Sequence, residues 1–172
     1  MKHLLLFLLL LLIPISSSKA TIYVSSDNSI YHIKENITKS TWENFQDNVH
    51  NIKTVILESN GGTVVYAAAI GRLIRQHKIT TVVKTECFSA CVLIFQSGYK
   101  RIAYKKAIFM LHPVSVDYGD RVEQDDKLTL IFNISLVQLG MQIELLVYFS
   151  EKIERYFSAI FAKRYNIATE IK

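Results

Sequence analysis

Glycine and proline are scarce in these 172 residues, at six and two, while 50% of the chain is hydrophobic and 20% charged. A chain so poor in breakers and so rich in apolar side chains is not collagenous, low in complexity or disordered, because such chains lack the apolar surface that offsets conformational entropy. Concentrated positive charge is also missing. There is no Arg-rich run and no interleaving of basic with aromatic residues, so no nucleic-acid partner is expected. Metal-ligand clusters are lacking too. Cys87 and Cys91 form a C-x-x-x-C pair without a nearby His cluster, which is poor zinc ligation, and neither a metal nor a cofactor is expected.

The one long hydrophobic run stands at the start. Lys2 and His3 precede Leu4 to Ile15, apolar apart from Pro14, and Ser16 to Ala20 follows as a small, polar stretch in which Ser18 and Ala20 fit the small-x-small cleavage rule. Residues 1–20 are therefore predicted to be a cleaved export signal, with Thr21 opening the mature chain and a bacterial host placing it in the periplasm. Twelve residues fall short of the roughly 20 needed to cross a bilayer, which favours cleavage over an uncleaved anchor. The remaining 152 residues (172 less 20), 21–172, suffice for one domain with its own core. Removing Lys2 and Lys19 leaves 18 basic against 15 acidic side chains, lowering the formal charge from +5 to +3.

Along the mature chain, Thr21 to Ser25 and Ile30 to Ile33 read as a hairpin around Asp27-Asn28. Ser40 or Thr41 caps a helix through about Val49, with Trp42, Phe45 and Val49 at helical spacing. Thr54 to Leu57 fits a strand covered on both faces, followed by the turn Glu58 to Gly62 and a helix from Thr63 to about Gln76. The unit then recurs. Thr80 to Val83 is strand-like, Cys87 to Ala90 a turn, Cys91 to Phe95 a compact apolar helix, and Gly98 its stop. Lys100 to Ala103 and Ala107 to Leu111 are further strands, Val114 to Gln124 a polar, mobile loop, and Asp125 to Phe149 one long helix broken by little except Gly140. Strands alternating with helices predict an α/β class with a mostly parallel sheet. Leu128 to Phe149 carries one charge, Glu144, yet Asn133, Ser135, Gln138 and Gln142 argue against lipid on every side, so a buried or subunit-contact helix is expected. Asn36 and Asn133 open N-x-Ser/Thr sites, relevant only in a host that glycosylates exported proteins.

Three pieces carry chemistry when weighed together: Ser59-Asn60-Gly61-Gly62, the stretch Cys87 to Cys91 around Ser89, and Phe109 to Pro113 with His112. Paired glycines between a strand and a helix start let backbone N–H groups face an oxyanion or phosphate, or simply permit a tight turn. Ser89, at the matching corner of the next unit, either presents its hydroxyl for attack with the Ala90 N–H close behind or caps the helix. His112 ends an apolar strand before Pro113, which fixes the exit of the chain, and is either a base at a sheet end or a satisfied structural residue.

As a set, with 23 residues from Ser89 to His112, this order resembles the Clp/crotonase superfamily, and especially the Clp protease proteolytic subunit and small exported bacterial Clp-like proteins, over about Val55 to Pro113. The resemblance implies stacked strand-turn-helix units with a long C-terminal helix. It implies an oxyanion hole from Gly61, Gly62 and Ala90, Ser89 as nucleophile and His112 as base, hence hydrolysis of a peptide or other acyl substrate. It also implies a C-terminal carboxylate that orients the histidine. No Asp follows Asp126, so Glu151 and Glu154 are the candidates, besides Glu144 and Glu170, and the final strand and helix are expected to be shortened. A Ser-Lys arrangement instead needs Lys84, Lys105 or Lys106 beside Ser89. A homo-oligomer is implied, and outside the cytoplasm no ATPase partner is expected. The alternative is a catalytically silent exported binding or assembly module that keeps the fold without a complete triad.

Cys87 and Cys91 bracket Ser89. In an oxidising compartment they form a bridge that fixes its turn, or else remain two buried thiols. Lys100, Arg101, Lys105 and Lys106 read as a solvated hairpin, with peripheral contact to anionic lipid headgroups as the other reading.

Overall fold

The computed structural model describes residues 22–24, 29–150 and 153–172, so the expected signal, the Asp27-Asn28 turn and Glu151 lie outside the described residues. β1 (Ile22–Val24) pairs antiparallel with β2 (Ile30–Ile37), as the hairpin reading requires. Thr38 caps α1 (Lys39–Asn48): its hydroxyl accepts from the Thr41 N–H at 3.4 Å, while the Thr41 hydroxyl accepts from the Thr38 N–H at 3.1 Å. The cap is thus Thr38 rather than Ser40 or Thr41, because this reciprocal pair satisfies two N–H groups that a single cap leaves open.

β3 (Thr54–Gly62) runs through both glycines, and buried Val55, Leu57 and Ser59 alternate with half-buried Thr54, Ile56 and Glu58. One face is therefore covered and the other only partly, a correction to the reading of burial on both faces. α2 (Val64–Gln76) buries Ala67, Ile70, Gly71 and Ile74 on one stripe. β4 (Thr80–Phe88) continues beyond its apolar run through exposed Lys84, Thr85 and Glu86, so Cys87 and Phe88 belong to the strand rather than to a turn. α3 (Ala90–Gln96) is buried at every residue and forms the centre of the core. β5 (Arg101–Ala103) and β6 (Ile108–Leu111) lie close to their expected bounds.

Two expectations fail beyond this point. The segment read as a mobile loop is an antiparallel hairpin, β7 (Ser115–Asp117) with β8 (Val122–Gln124). Its polarity reflects exposure rather than want of structure, and the Asp117 carboxylate closes its turn by accepting from the Gly119 N–H at 2.7 Å. The single long helix is two, α4 (Asp126–Gln138) and α5 (Leu145–Ser150). Gly140, at φ 108°, ends α4, with its N–H donating to Val137 O at 2.8 Å and the Met141 N–H donating to Leu136 O at 3.1 Å. The apolar period survives the break because Phe132, Leu136, Met141, Leu145 and Phe149 all enter one core. Asn133 is buried between the two helices, its amide donating to Phe149 O at 3.2 Å, which encloses that N-x-Ser site. No helix among the described residues is long and apolar enough to cross a membrane.

The chain closes with β9 (Arg155–Ser158), α6 (Ala159–Arg164) and β10 (Glu170–Ile171). The sheet order is β1-β2-β3-β4-β5-β10, with β6 on β4 and β9 on β6; only the β1–β2 and β6–β9 pairs are antiparallel. This is the predicted α/β class with a mostly parallel sheet.

Arg101 corrects the reading of a solvated basic hairpin. It is 6% exposed, and its guanidinium donates to Ile167 O at 2.9 Å, Gly98 O at 3.3 Å, and Asn166 O at 3.1 Å and Oδ1 at 3.3 Å. It thereby staples the C-terminal turn to the body, while exposed Lys100 pairs with Glu170 at 2.6 Å. The Lys100 ammonium holds the Glu170 carboxyl below its usual range. A depressed carboxyl contributes stability above its unfolded pKa and loses it as pH falls through the folded value, so acid weakens this outer tie. Arg101→Met removes the guanidinium that pairs the carbonyls of buried Gly98 and Ile167 and is expected to cost about 3 kcal/mol in urea unfolding, whereas Lys105→Met, at an exposed site, changes stability by less than about 0.5 kcal/mol.

Candidate active site

β4 changes partner partway along its length. Thr81, Val82 and Val83 pair with β5, whereas Glu86, Cys87 and Phe88 pair with β6, and the register against β3 slips between Leu57–Val83 and Ser59–Cys87. This fork carries the end of β4 alongside β6, so Ser89, one residue past Phe88, and His112, one past Leu111, emerge at the same end of adjacent parallel strands. The Ser89 N–H seals the junction by donating to Met110 O at 2.7 Å.

Ser89 adopts φ 54° and ψ −125°, a left-handed corner between strand and helix that a residue with a Cβ enters at a cost of about 1–3 kcal/mol. Its side chain does not cap α3 and makes no hydrogen bond among the described residues. The helix-cap alternative is thereby removed. Cys87 and Cys91, both fully buried, are joined by a disulfide that spans this corner. Closing so short a loop removes unfolded-state freedom worth about 2 kcal/mol, comparable to the strain at Ser89. The corner is held from outside itself.

Gly61 lies directly against it. A Cβ on Gly61, whose φ is 99°, meets Phe88 O at 2.7 Å, Ser89 Cβ at 2.8 Å and Ala90 N at 3.1 Å. The glycine corner and the serine corner therefore converge, and only a residue without a side chain lets them. Gly62, at φ 138°, is pressed as closely against Ile37, whose backbone N is 2.7 Å from the position of a Cβ. The Gly61 N–H donates to the buried Ser59 hydroxyl at 3.1 Å, so Gly61 supplies room at this point while its donor is engaged. The Ala90 N–H belongs to the first turn of α3, where no intrahelical carbonyl is available to accept it.

His112 is half-buried, and its Nδ1 lies 2.6 Å from Pro113 O. A carbonyl only accepts, so Nδ1 carries the proton and the neutral ring keeps its lone pair on Nε2. Ser89 and His112 are not hydrogen-bonded to each other in this structure. The last β6–β9 pair, Leu111 with Arg155, sets Glu154 beside the level of His112, but the exposed Glu154 carboxylate accepts from the Tyr156 hydroxyl at 3.3 Å. That negative charge raises the Tyr156 phenol above its usual pKa. Glu144 is exposed, Glu170 is paired with Lys100, and among the described residues no lysine, Lys84, Lys105 and Lys106 included, hydrogen-bonds Ser89. Sequence reasoning sought a carboxylate and missed the Pro113 carbonyl, since a backbone acceptor leaves no mark in side-chain identity. Among the described residues, no group of three or more His, Cys, Asp or Glu is placed to hold a metal ion.

No protein-family model matches the chain, and no curated protein is similar to it in sequence. In structure it is similar to ClpP1 from Listeria monocytogenes, with a TM-score of 0.69 and 17% identity over 83% of this chain and 90% of that one. An asparagine-to-aspartate mutant of that protein gives 0.67 and 19% over the same shares, 83% and 90%. The ClpP protease catalytic domain from Plasmodium falciparum gives 0.66 and 19% over 83% of each chain. At these identities the likeness speaks for architecture, and the chain has the fold of the Clp protease proteolytic subunits.

Proposed function

We propose that the chain is an exported serine peptidase in which Ser89 is the nucleophile, His112 the general base, and the N–H groups of Gly62 and Ala90 the oxyanion donors. The observation that carries this reading is the strained Ser89 corner, packed on the glycine corner and flanked by the strand end that bears His112. Nε2 of His112 takes the Ser89 hydroxyl proton as Oγ bonds to the substrate carbonyl carbon. The negative oxygen is stabilised by the two N–H groups, and the imidazolium returns the proton to the amine as the C–N bond breaks. Water, deprotonated at Nε2, then cleaves the acyl ester and restores Ser89. The Pro113 carbonyl takes over the orienting task usually given to a carboxylate. Catalytic hydrogen bonds often close only in the substrate complex, so the Ser89–His112 bond forms with the peptide in place.

A silent binding or assembly module is the second reading, favoured by the unformed Ser89–His112 hydrogen bond. A fluorophosphonate probe on the purified 21–172 chain separates the two. Rapid labelling of the wild type is expected, and no labelling decides for the silent module.

The exposed side of α4, where Leu130 is 52% and Ile134 40% exposed, supports assembly into a homo-oligomer. Light scattering is expected to give a multiple of the protomer mass, which Leu130→Asp with Ile134→Asp reduces to one protomer. A monomeric wild type excludes this contact.

A further inference from the structure

Between α2 and α4, over Leu93 of α3, a cavity of about 600 Å³ continues into a second of about 330 Å³, the two sharing Ala68, Arg72, Leu93 and Ser135. The near end of this groove adjoins the proposed site. Val64 stands two residues after Gly62, Leu93 one helical turn after Ser89, and Val114 two residues after His112. The walls are mainly apolar, and the charged side chains that line them are Arg72, in both cavities, and Arg75, in the far one. Neither arginine makes an ion pair among the described residues. At 1.5 Å per helical residue, Arg72 lies about 12 Å and Arg75 about 16 Å along α2 from Val64. An extended peptide spans that distance in roughly four to five residues.

We propose that this groove receives the acyl-side segment of a peptide, apolar next to the cleaved bond, and that Arg72 and Arg75 select for an acidic side chain four to five residues upstream. Two guanidinium groups without an ion-pair partner among the described residues, at the mouth of an apolar channel, favour carboxylate and disfavour ammonium, and because both arginines are exposed the preference is strongest at low ionic strength. This specificity rests on the reading of Ser89 as a peptidase nucleophile, but binding tests it separately from turnover.

The full chain carrying Ser89→Ala is titrated with two fluorescein-labelled peptides that end in leucine at the cleavage position and differ only in Glu or Lys at the fifth residue upstream. The Glu peptide is expected to bind about tenfold more tightly at low salt. Adding Arg72→Gln and Arg75→Gln brings the ratio to about one, with unchanged far-ultraviolet dichroism showing that the fold persists. Equal binding of the two peptides, or a preference that survives the double substitution, overturns the proposal. A charge preference in binding stands even where the wild type resists the fluorophosphonate, and labelling without any preference removes the groove's role alone.

Discussion

Ser89→Ala is expected to abolish fluorophosphonate labelling and to lower hydrolysis of a fluorogenic peptide by at least about a thousandfold. The side chain stands at a strained corner without a hydrogen-bond partner among the described residues, and removing Oγ leaves the corner otherwise intact because the backbone and the Cys87–Cys91 bridge hold it. His112→Ala is expected to fall as far, and the double variant no further, since nucleophile and base act as one unit. Glu154→Gln is the informative control. The Nδ1 proton is held by Pro113 O and the Glu154 carboxylate by Tyr156, so this change is expected to leave turnover within about twofold. A loss as large as that of His112→Ala would return the orienting role to the carboxylate and sink the assignment to the carbonyl. A wild-type tautomer with the proton on Nε2, read from the imidazole nitrogen shifts, would do the same.

Gly61→Ala is expected to damage fold and site together. The added methyl meets Phe88 O and Ser89 Cβ at 2.7 and 2.8 Å, contacts that backbone cannot absorb without moving the corner, and φ 99° strains any L side chain. Overpacking and backbone strain together cost about 3 kcal/mol, which for a domain of this size lowers the melting temperature by roughly 6–12 °C. Gly119→Ala isolates the second contribution, because Gly119 also has positive φ, 88°, but a Cβ there meets nothing within 4 Å. It is expected to cost about 1 kcal/mol and to leave labelling at Ser89 unchanged. Equal losses at the two sites would mean that φ alone matters and that the two corners do not touch.

Tyr31 and Phe45 show how local pattern and packing agree where they do: both lie on elements legible from periodicity, and their rings meet edge to face at 5.1 Å in the core. Elsewhere local reading stopped short for identifiable reasons. The β7–β8 hairpin is short and exposed along much of its length, so the alternation of Val114, Val116 and Tyr118 with Ser115 and Asp117 is too brief, beside the charges that follow it, to stand out as a strand. Gly140 ended α4 inside an apolar period that spans both helices, and only the cap hydrogen bonds distinguish a stop from a tolerated glycine. Arg101 has the composition of a surface residue, and the three backbone carbonyls that bury it come from Gly98, Asn166 and Ile167.

By itself, the order of residues determined the alternation of strands and helices, the glycine pair at one corner, the serine at the next and the imidazole at a strand end, because each of these is a local matter of period, turn chemistry and chain exit. The tertiary structure alone decided that the corners meet. That depends on β4 slipping its register and trading β5 for β6, a long-range choice of hydrogen-bond partner that no single segment encodes. It also decided the histidine's partner and the groove, since one is a backbone oxygen and the other the space left between helices packed from distant parts of the chain.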